Sequence, residues 1–283
     1  MEIVLGKTAG FCYGVRNAVM KAEEKLKEHK KVSCLGELVH NRQVIKKLEN
    51  LGMNVVEKIE DANKRVIIRA HGIAKEVYNK AKKLNIEIFD FTCPSVLKIH
   101  NIAEEYANKG FFIFLIGGKK HPETLGTISF CGNDSYLLEN EEEVDEAIGK
   151  LIKSKIKKLF IIVQTTFSYE KFETIVEKIK SKLNSDIEIE VRNTICNATK
   201  IRQEETNEIS KNVQCMIIIG GKNSSNTKKL FDIAKENCNN TFIVETKDEL
   251  DLDVINKCNK VGIMAGASTP DESIDEVISY INV

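Results

Sequence analysis

The sequence predicts an α/β fold in which small parallel sheets are flanked by helices. Short apolar runs rich in β-branched residues alternate with segments of helical periodicity, as in βαβ units. The apolar runs read KVSCLGEL, RVIIRA, IEIFDF, FFIFLIGG, KLFIIVQ, CMIIIGG and VGIMAG. The helical segments include HNRQVIKKLENLG, KEVYNKAKKLN, YEKFETIVEKIKSKL and TKKLFDIAKEN. Two of the three prolines, Pro94 and Pro270, stand at or near predicted helix starts, where proline is tolerated.

The composition is that of an ordinary globular protein. The 283 residues are 42% hydrophobic and 30% charged, and Lys plus Arg equals Asp plus Glu at 42 each. A net charge of zero gives no general attraction to nucleic acid or anionic membrane, so we expect neither as a partner. The N-terminal MEIVLGKTAG lacks signal-peptide features, and the apolar runs are too short to span a bilayer. We therefore expect a cytoplasmic protein.

Three of the eight cysteines stand directly before amphipathic helical segments, in AGFCYGVRNAV, FDFTCPSVLKI and NTICNATKIRQ. They are Cys12, Cys93 and Cys196. No pair has the C-x-x-C spacing of a zinc knuckle, and a reducing cytoplasm disfavours disulfides. The ordinary interpretation of a single cysteine is a small buried hydrophobic residue, and we expect this of Cys34, Cys131, Cys215, Cys238 and Cys258.

The loops that follow the predicted strands repeat at a fixed interval from these three cysteines. The interval is 28 residues in every third of the chain. The pairs are Cys12 and His40, Cys93 and His121, and Cys196 and Ser224. A second polar loop follows 44 residues later at Thr165 and Ser268, and 31 residues later at His71. The strand ends FLIGGK and IIIGGK also occupy corresponding places.

The repeat predicts three pseudo-equivalent α/β domains. We place them at 1–95, with Cys12, His40 and His71; at 96–193, with His121, Glu123 and Thr165 and with Cys93 at its entry; and at 194–283, with Cys196, Ser224, Asn226 and Ser268. Ligands of parallel sheets bind beyond the carboxyl ends of the strands, where helix N-termini point. A trefoil of three such domains would direct these loops into one cavity and make the three cysteines neighbours.

Three converging thiolates suit one of two inorganic centres. They can bind zinc together with a histidine or water, or a [4Fe–4S] cluster in which one iron has no protein ligand. The apolar and aromatic neighbours in FCYG, TCPS and ICNA would shield a cluster, and helix N-termini stabilise thiolate charge. The sequence therefore favours the cluster, whose open iron would act as a Lewis acid and pass electrons to a substrate.

The other loop residues are hydrogen-bonding groups at predicted helix N-termini, a set suited to phosphate or diphosphate. They are His40, His71, His121, Ser224, Ser225, Asn226 and Ser268. Taken singly, each has an ordinary interpretation, such as a structural histidine or a helix N-cap. Glu123 is a candidate proton donor that acts through Thr165 or Thr166, and its ordinary interpretation is a first-turn glutamate that complements the helix dipole.

Several cofactor signatures are missing from the sequence. It has no G-x-G-x-x-G, no Walker A motif, no H-E-x-x-H and no ferredoxin-type cysteine run. Because the chain offers no means to bind nicotinamide, flavin or ATP, we expect electrons to come from another protein.

Nine motifs in order resemble the 4-hydroxy-3-methylbut-2-enyl diphosphate reductases, which complete the methylerythritol phosphate route to isoprenoids. The motifs read AGFCYGVRNAV, GELVHN, RAHGI, DFTCP, HPE..GT, QTT.S, IC.AT..RQ, GG.NSSNT.KL and AGASTPD, and they extend from residue 9 to about 271. The resemblance implies a monomer of three α/β domains around a [4Fe–4S] cluster held by Cys12, Cys93 and Cys196. No fused RNA-binding extension, as some relatives carry, is expected.

The resemblance also implies the reaction and the roles of the site residues. The allylic hydroxyl of the substrate leaves as water, with two electrons and two protons, and isopentenyl and dimethylallyl diphosphates form. Ferredoxin or flavodoxin would donate the electrons. In this pattern Glu123 is the proton source and Thr165 lies at the hydroxyl end. The diphosphate would bind His40, His71, His121, Ser224, Ser225, Asn226 and Ser268.

Two other functions remain open from the residues alone. A non-redox protein that binds a phosphorylated metabolite would hold zinc, or nothing, between the three cysteines. A cysteine-nucleophile enzyme would need one cysteine beside a general base, and the threefold repeat argues against that.

Overall fold

A computed structural model of the chain describes residues 1–281. In this part of the chain, twelve strands form three four-stranded sheets, and every strand pairing is parallel. Parallel sheets are covered by helices on both faces, so their central strands are apolar along their whole length. β6 and β10, defined below, follow this rule, since every one of their residues is buried. The predicted α/β fold of small parallel sheets flanked by helices is confirmed.

The first sheet has the order β3-β2-β4-β5. Its strands are β2 (Val32–Leu35), β3 (Met53–Val56), β4 (Arg65–Ile68) and β5 (Glu87–Asp90). The helices of this part of the chain are α1 (Tyr13–Glu28), α2 (Arg42–Asn50) and α3 (Lys75–Lys83). Leu35, Val66 and Ile68 form its core together with Ala81 of α3.

The second sheet has the order β7-β6-β8-β9. Its strands are β6 (Phe112–Ile116), β7 (Ser135–Leu138), β8 (Lys158–Val163) and β9 (Glu188–Val191). The accompanying helices are α4 (Pro94–Asn108), α5 (Pro122–Thr127), α6 (Val144–Ser154) and α7 (Tyr169–Lys182). Apolar side chains of α6 and α7 pack with Phe114 and Ile161 on one face of the sheet.

The third sheet has the order β1-β12-β10-β11. Its strands are β1 (Glu2–Leu5), β10 (Cys215–Ile219), β11 (Thr241–Val244) and β12 (Lys260–Ala265). The accompanying helices are α8 (Asn197–Ser210), α9 (Ser225–Asn237), α10 (Leu252–Ile255) and α11 (Asp271–Ile281). The N-terminal strand therefore completes the sheet of the C-terminal third, with Ile3 opposite Val261.

The three sheets repeat one strand order, in which the third sheet uses β1 as its fourth strand. Each predicted cysteine follows the fourth strand of a sheet: Cys12 follows β1, Cys93 follows β5, and Cys196 follows β9. By strand pairing, Cys12 therefore belongs with the sheet of the C-terminal third. The predicted boundaries at 1–95, 96–193 and 194–283 assign β1 to the first segment instead, and they stay a prediction.

By compactness, the chain forms two units. The terminal unit comprises Met1–Asn17, Val39–Asn50 and the described residues from Asn197 onward. The central unit comprises Ala18–Leu38 and Leu51–Cys196. The third sheet lies in the terminal unit, and the first and second sheets lie in the central unit. No helix in the described part of the chain is long and apolar enough to cross a membrane.

Candidate functional site

The three predicted cysteines occupy equivalent positions in the three sheets. The backbone N–H of each donates to a carbonyl of the loop that follows the third strand of its sheet. The pairs are Cys93 with Ala70 at 2.9 Å, Cys196 with Thr165 at 3.0 Å, and Cys12 with Ala267 at 3.1 Å. The same hydrogen bond in all three sheets gives the sequence repeat a structural basis.

Exposure separates these three cysteines from the other five. Cys12, Cys93 and Cys196 are partly exposed, whereas Cys34, Cys131, Cys215, Cys238 and Cys258 are buried, as predicted. Burial raises the pKa of the thiols of Cys34, Cys131 and Cys215 to about 12. A thiol with such a pKa is a poor metal ligand at neutral pH, because binding requires the thiolate.

Cys93 and Cys196 come together in the central unit. Cys93 is the N-cap residue of α4, with Pro94 in the first helical position. The backbone N–H groups of Val96 and Leu97 donate to its carbonyl at 2.9 and 3.0 Å. Ser95 donates its hydroxyl to Sγ of Cys196 at 3.7 Å. Cys196 therefore contacts the first turn of the helix that Cys93 caps.

The carboxyl group of Glu123 is buried and hydrogen-bonded in the same unit. The residue is 2% exposed. Its Oε1 accepts the backbone N–H of Thr165 at 2.7 Å, and its Oε2 accepts the hydroxyl of Thr165 at 2.6 Å. Burial raises the pKa of Glu123 to about 7, against the opposing effect of the two Thr165 hydrogen bonds.

Thr165 connects the carboxyl group to the cysteine. Its N–H and hydroxyl donate to Glu123, while its carbonyl accepts the N–H of Cys196. Of the two candidate relay hydroxyls, that of Thr165 is hydrogen-bonded to Glu123. The hydroxyl of Thr166 instead accepts Nε2 of Gln164 at 2.8 Å. Thr165 is thus hydrogen-bonded both to the carboxyl group of Glu123 and to the backbone of Cys196.

His71 and His121 lie side by side in the central unit, with ring centroids 5.4 Å apart and an interplanar angle of 84°. His121 is the N-cap residue of α5, and its Nδ1 accepts the N–H of Glu123 at 3.2 Å. When the ring is neutral, its proton is therefore on Nε2. Gly126 of α5 packs on the backbone of Ile73, where a Cβ would lie 3.3 Å from the Ile73 carbonyl oxygen.

The terminal unit holds the other predicted residues. The hydroxyl of Ser268 donates to the carbonyl of His40 at 3.1 Å. Gly221 approaches the same carbonyl so closely that a Cβ there would lie 2.5 Å from its oxygen. Ser224 caps α9 by accepting the N–H of Thr227 at 3.3 Å, and Ser225 is the first residue of that helix.

The buried side-chain amide of Asn226 is unsatisfied, as is the buried hydroxyl of the adjacent Thr227. Asn226 is 3% exposed, and neither its Oδ1 nor its Nδ2 has a hydrogen-bond partner in residues 1–281. A buried amide without partners costs about 1–3 kcal/mol, so native proteins rarely leave one bare. Its presence beside the Ser224 cap indicates a place for a polar ligand.

The structure thus sorts the predicted residues into two sets. The central unit contains Cys93, Cys196, Glu123, Thr165, His71 and His121, and the terminal unit contains Cys12, His40, Ser224, Ser225, Asn226 and Ser268. Sequence reasoning missed Ser95, Gln164 and the pair Arg202 and Glu205. The motif IC.AT..RQ contains Arg202 but ends before Glu205, and the hydrogen-bond partners of both residues lie almost 200 residues away.

The chain matches the family model described as LytB protein over residues 3–282. It is 42% identical to "4-hydroxy-3-methylbut-2-enyl diphosphate reductase" of Caldanaerobacter subterraneus subsp. tengcongensis, over 99% of this chain and 96% of the relative. A solved structure of (E)-4-hydroxy-3-methyl-but-2-enyl diphosphate reductase, "the Terminal Enzyme of the Non-Mevalonate Pathway", is 39% identical, with a TM-score of 0.72 and coverage of 100% and 99%. The E-1-hydroxy-2-methyl-but-2-enyl-4-diphosphate reductase of Plasmodium falciparum is 32% identical, with a TM-score of 0.91 and coverage of 100% and 88%. On this agreement in sequence and fold, the chain belongs to the LytB protein family.

Proposed function

We propose that the protein reduces (E)-4-hydroxy-3-methylbut-2-enyl diphosphate to isopentenyl and dimethylallyl diphosphates. The substrate's C–O bond breaks, the oxygen leaves as water, and two electrons and two protons are consumed. The observation that carries the proposal is the buried carboxyl group of Glu123, which is bonded to Thr165 next to Cys196. The named relatives support the choice of substrate.

A [4Fe–4S] cluster suits the donor set of this chain. Cys12, Cys93 and Cys196 are partly exposed, follow equivalent strands and make the same backbone hydrogen bond, unlike the five buried cysteines. In our proposal these three thiolates hold the cluster and leave one iron without a protein ligand. When bound, the cluster would supply electrons and a Lewis-acidic iron, and an external donor of ferredoxin or flavodoxin type would reduce it.

The diphosphate would bind the polar loop residues His40, His71, His121, Ser224, Ser225, Asn226 and Ser268. Nδ2 of Asn226 is a buried donor without a partner among the described residues, and a diphosphate oxygen would satisfy it. Helix N-termini such as those of α5 and α9 favour anions. Because this group is remote from the bond that breaks, its binding energy positions the hydroxyl end.

Glu123 would hold the proton that the reaction consumes. With a pKa of about 7, a substantial fraction of the carboxyl group is protonated near neutral pH. The Thr165 hydroxyl can turn, accept the proton of the neutral carboxyl group and donate its own proton toward the substrate oxygen. A positioned acid of this kind contributes roughly 10²–10⁴-fold to a rate.

Turnover under strictly anaerobic conditions tests the proposal. Protein incubated with the allylic diphosphate and a one-electron reductant should form isopentenyl and dimethylallyl diphosphates. Recovery of unchanged hydroxylated substrate from protein that binds it would contradict the proposal. A colourless protein that contains zinc and binds the diphosphate would instead favour a non-redox binding protein. Monomeric state and cytoplasmic location remain predictions.

A further inference from the structure

The segment that carries Cys12 has an irregular conformation. Residues 6–12, called here the Cys12 loop, connect β1 to α1. Gly10 has φ +93°, a left-handed conformation, and a Cβ there would lie 3.0 Å from Oδ1 of Asp271. Within the loop, the N–H of Ala9 donates to the carbonyl of Gly6 at 3.1 Å. The other polar backbone groups need partners from outside the loop.

Arg202 of α8 donates hydrogen bonds to two backbone carbonyls of the Cys12 loop. Its side chain is buried, with the residue 3% exposed. Nε and Nη2 donate to the carbonyl of Thr8 at 2.9 and 2.5 Å, and Nη2 also donates to the carbonyl of Gly10 at 2.8 Å. The guanidinium group therefore spans two carbonyls on the two residues that flank Ala9, a geometry that a lysine ammonium cannot reproduce.

Glu205, one helical turn after Arg202, accepts hydrogen bonds from backbone N–H groups of the same loop. Its Oε1 accepts the N–H of Lys7 at 2.6 Å, and its Oε2 accepts the N–H of Thr8 at 2.9 Å and also the hydroxyl of Thr8. Residues at i and i+3 share a helix face, so both side chains reach the loop from α8. Together the two charged side chains bond four backbone groups of the loop, namely the N–H groups of Lys7 and Thr8 and the carbonyls of Thr8 and Gly10.

These contacts stop two residues short of Cys12. The N–H of Cys12 is itself held by the carbonyl of Ala267, and its carbonyl accepts the N–H of Arg16 at 2.9 Å. A ligand site needs its ligating side chain held by supporting hydrogen bonds, or metal affinity is lost. We propose that Arg202 and Glu205 are positioning residues that hold the Cys12 loop in the conformation required for Cys12 to act as a ligand. This inference rests on the proposed function.

Cysteine alkylation in the iron-free full-length chain tests the inference without relying on activity. Iodoacetamide labelling followed by peptide mass spectrometry gives separate rates for Cys12, Cys93 and Cys196. Arg202→Met removes the donors and keeps an apolar stem of similar length. Lys200→Met is its matched control on the same helix. Glu205→Gln is paired with Glu204→Gln, because the side chain of Glu204 is exposed and its ion pair is with Lys200.

We expect Arg202→Met to accelerate alkylation of Cys12 by about tenfold or more, since a hydrogen bond to a charged group changes an opening equilibrium by at least that factor. Glu205→Gln should give a smaller increase, and both controls should match wild type. Arg202→Lys should restore only part of the protection. Hydrogen exchange at the amides of Lys7 and Thr8 should rise in the same variants. Reconstituted Arg202→Met should retain less iron than wild type.

Two results would overturn the inference. One is a Cys12 rate in Arg202→Met within about twofold of wild type. The other is an equal acceleration of Cys93 and Cys196, which would indicate general loosening of the fold. If Arg202→Met does not fold, Arg202→Lys and Glu205→Gln decide by the same criteria. Wild-type protein that takes up no iron or sulfide would overturn the cluster assignment separately, because the alkylation rates are measured without the cluster.

Discussion

Two buried polar side chains, Glu123 in the central unit and Asn226 in the terminal unit, have opposite surroundings. Glu123 accepts two hydrogen bonds from one residue, and its N–H is bound by His121. The side-chain amide of Asn226 has no hydrogen bond to any of residues 1–281. The carboxyl group of Glu123 is hydrogen-bonded without a ligand, whereas the side-chain amide of Asn226 would gain hydrogen bonds only from a ligand. In the proposed function, this difference means that the proton donor is preorganised, whereas the substrate-binding group gains its hydrogen bonds only when the substrate binds.

The largest expected effect concerns the proposed iron–sulfur cluster. Cys93→Ser should abolish iron retention, because serine lacks the soft thiolate that iron–sulfur clusters require. Cys34→Ala should retain iron, since Cys34 is buried in β2. Iron and sulfide analysis of both anaerobically purified variants checks the prediction. An unchanged iron content in Cys93→Ser would remove Cys93 from the ligand set.

The next largest effect concerns the hydrogen-bonded carboxyl group of Glu123. Glu123→Gln keeps the shape of the side chain but cannot deliver a carboxyl proton, so turnover should fall roughly 10²–10⁴-fold. Iron content and substrate affinity should stay near wild type. Glu142→Gln, at an exposed position, is the control. Near-normal turnover in the Glu123 variant would mean that the proton comes from elsewhere.

A third effect is the pH dependence of stability caused by Glu123. Its pKa is raised from 4.5 to about 7, so the native state binds more protons than the unfolded state between those values. The contribution of Glu123 to the free energy of unfolding should therefore be fully present below pH 4.5. It should be lost as the pH rises through 7. The total loss is at most about 3–4 kcal/mol. Denaturant titrations of wild type and Glu123→Gln measure it as a difference, and parallel pH profiles would contradict it.

The smallest expected effect concerns the unsatisfied side-chain amide of Asn226. Asn226→Ala removes the unsatisfied amide, so the unfolding free energy of ligand-free protein should change by no more than about 1 kcal/mol. Inorganic diphosphate, used as the probe, should bind about tenfold more weakly, measured by calorimetry. The exposed Asn212→Ala serves as control. Unaltered diphosphate affinity together with a large loss of stability would show that Asn226 is only structural.

Much of the fold could be predicted from the sequence because the apolar runs and their loops repeat at 28 and 44 residues. The membership of β1 in the third sheet could not, since EIVL is four residues long and nothing local indicates its partner, β12. A long-range parallel pairing of this kind is set by the packed sheet and not by periodicity.

The candidate site was predictable to a similar degree. Residue type and spacing indicated Cys12, Cys93, Cys196 and Glu123. They left Thr165 and Thr166 open, and the family resemblance favoured Thr165, which is the residue hydrogen-bonded to Glu123 in the structure. The spacing aligns Thr165 with Ser268, whereas the hydrogen bonds from the cysteines align Thr165 with Ala267. The one-residue difference shows that the spacing locates a loop but does not fix which residues of two loops are structurally equivalent.

The most direct measurement is the count of iron and acid-labile sulfide in wild-type protein purified without oxygen. We predict about four irons and four sulfides per chain and a brown colour, as a single cubane cluster requires. Zinc, or no metal at all, in well-folded protein would contradict the assignment of Cys12, Cys93 and Cys196 to an iron–sulfur centre.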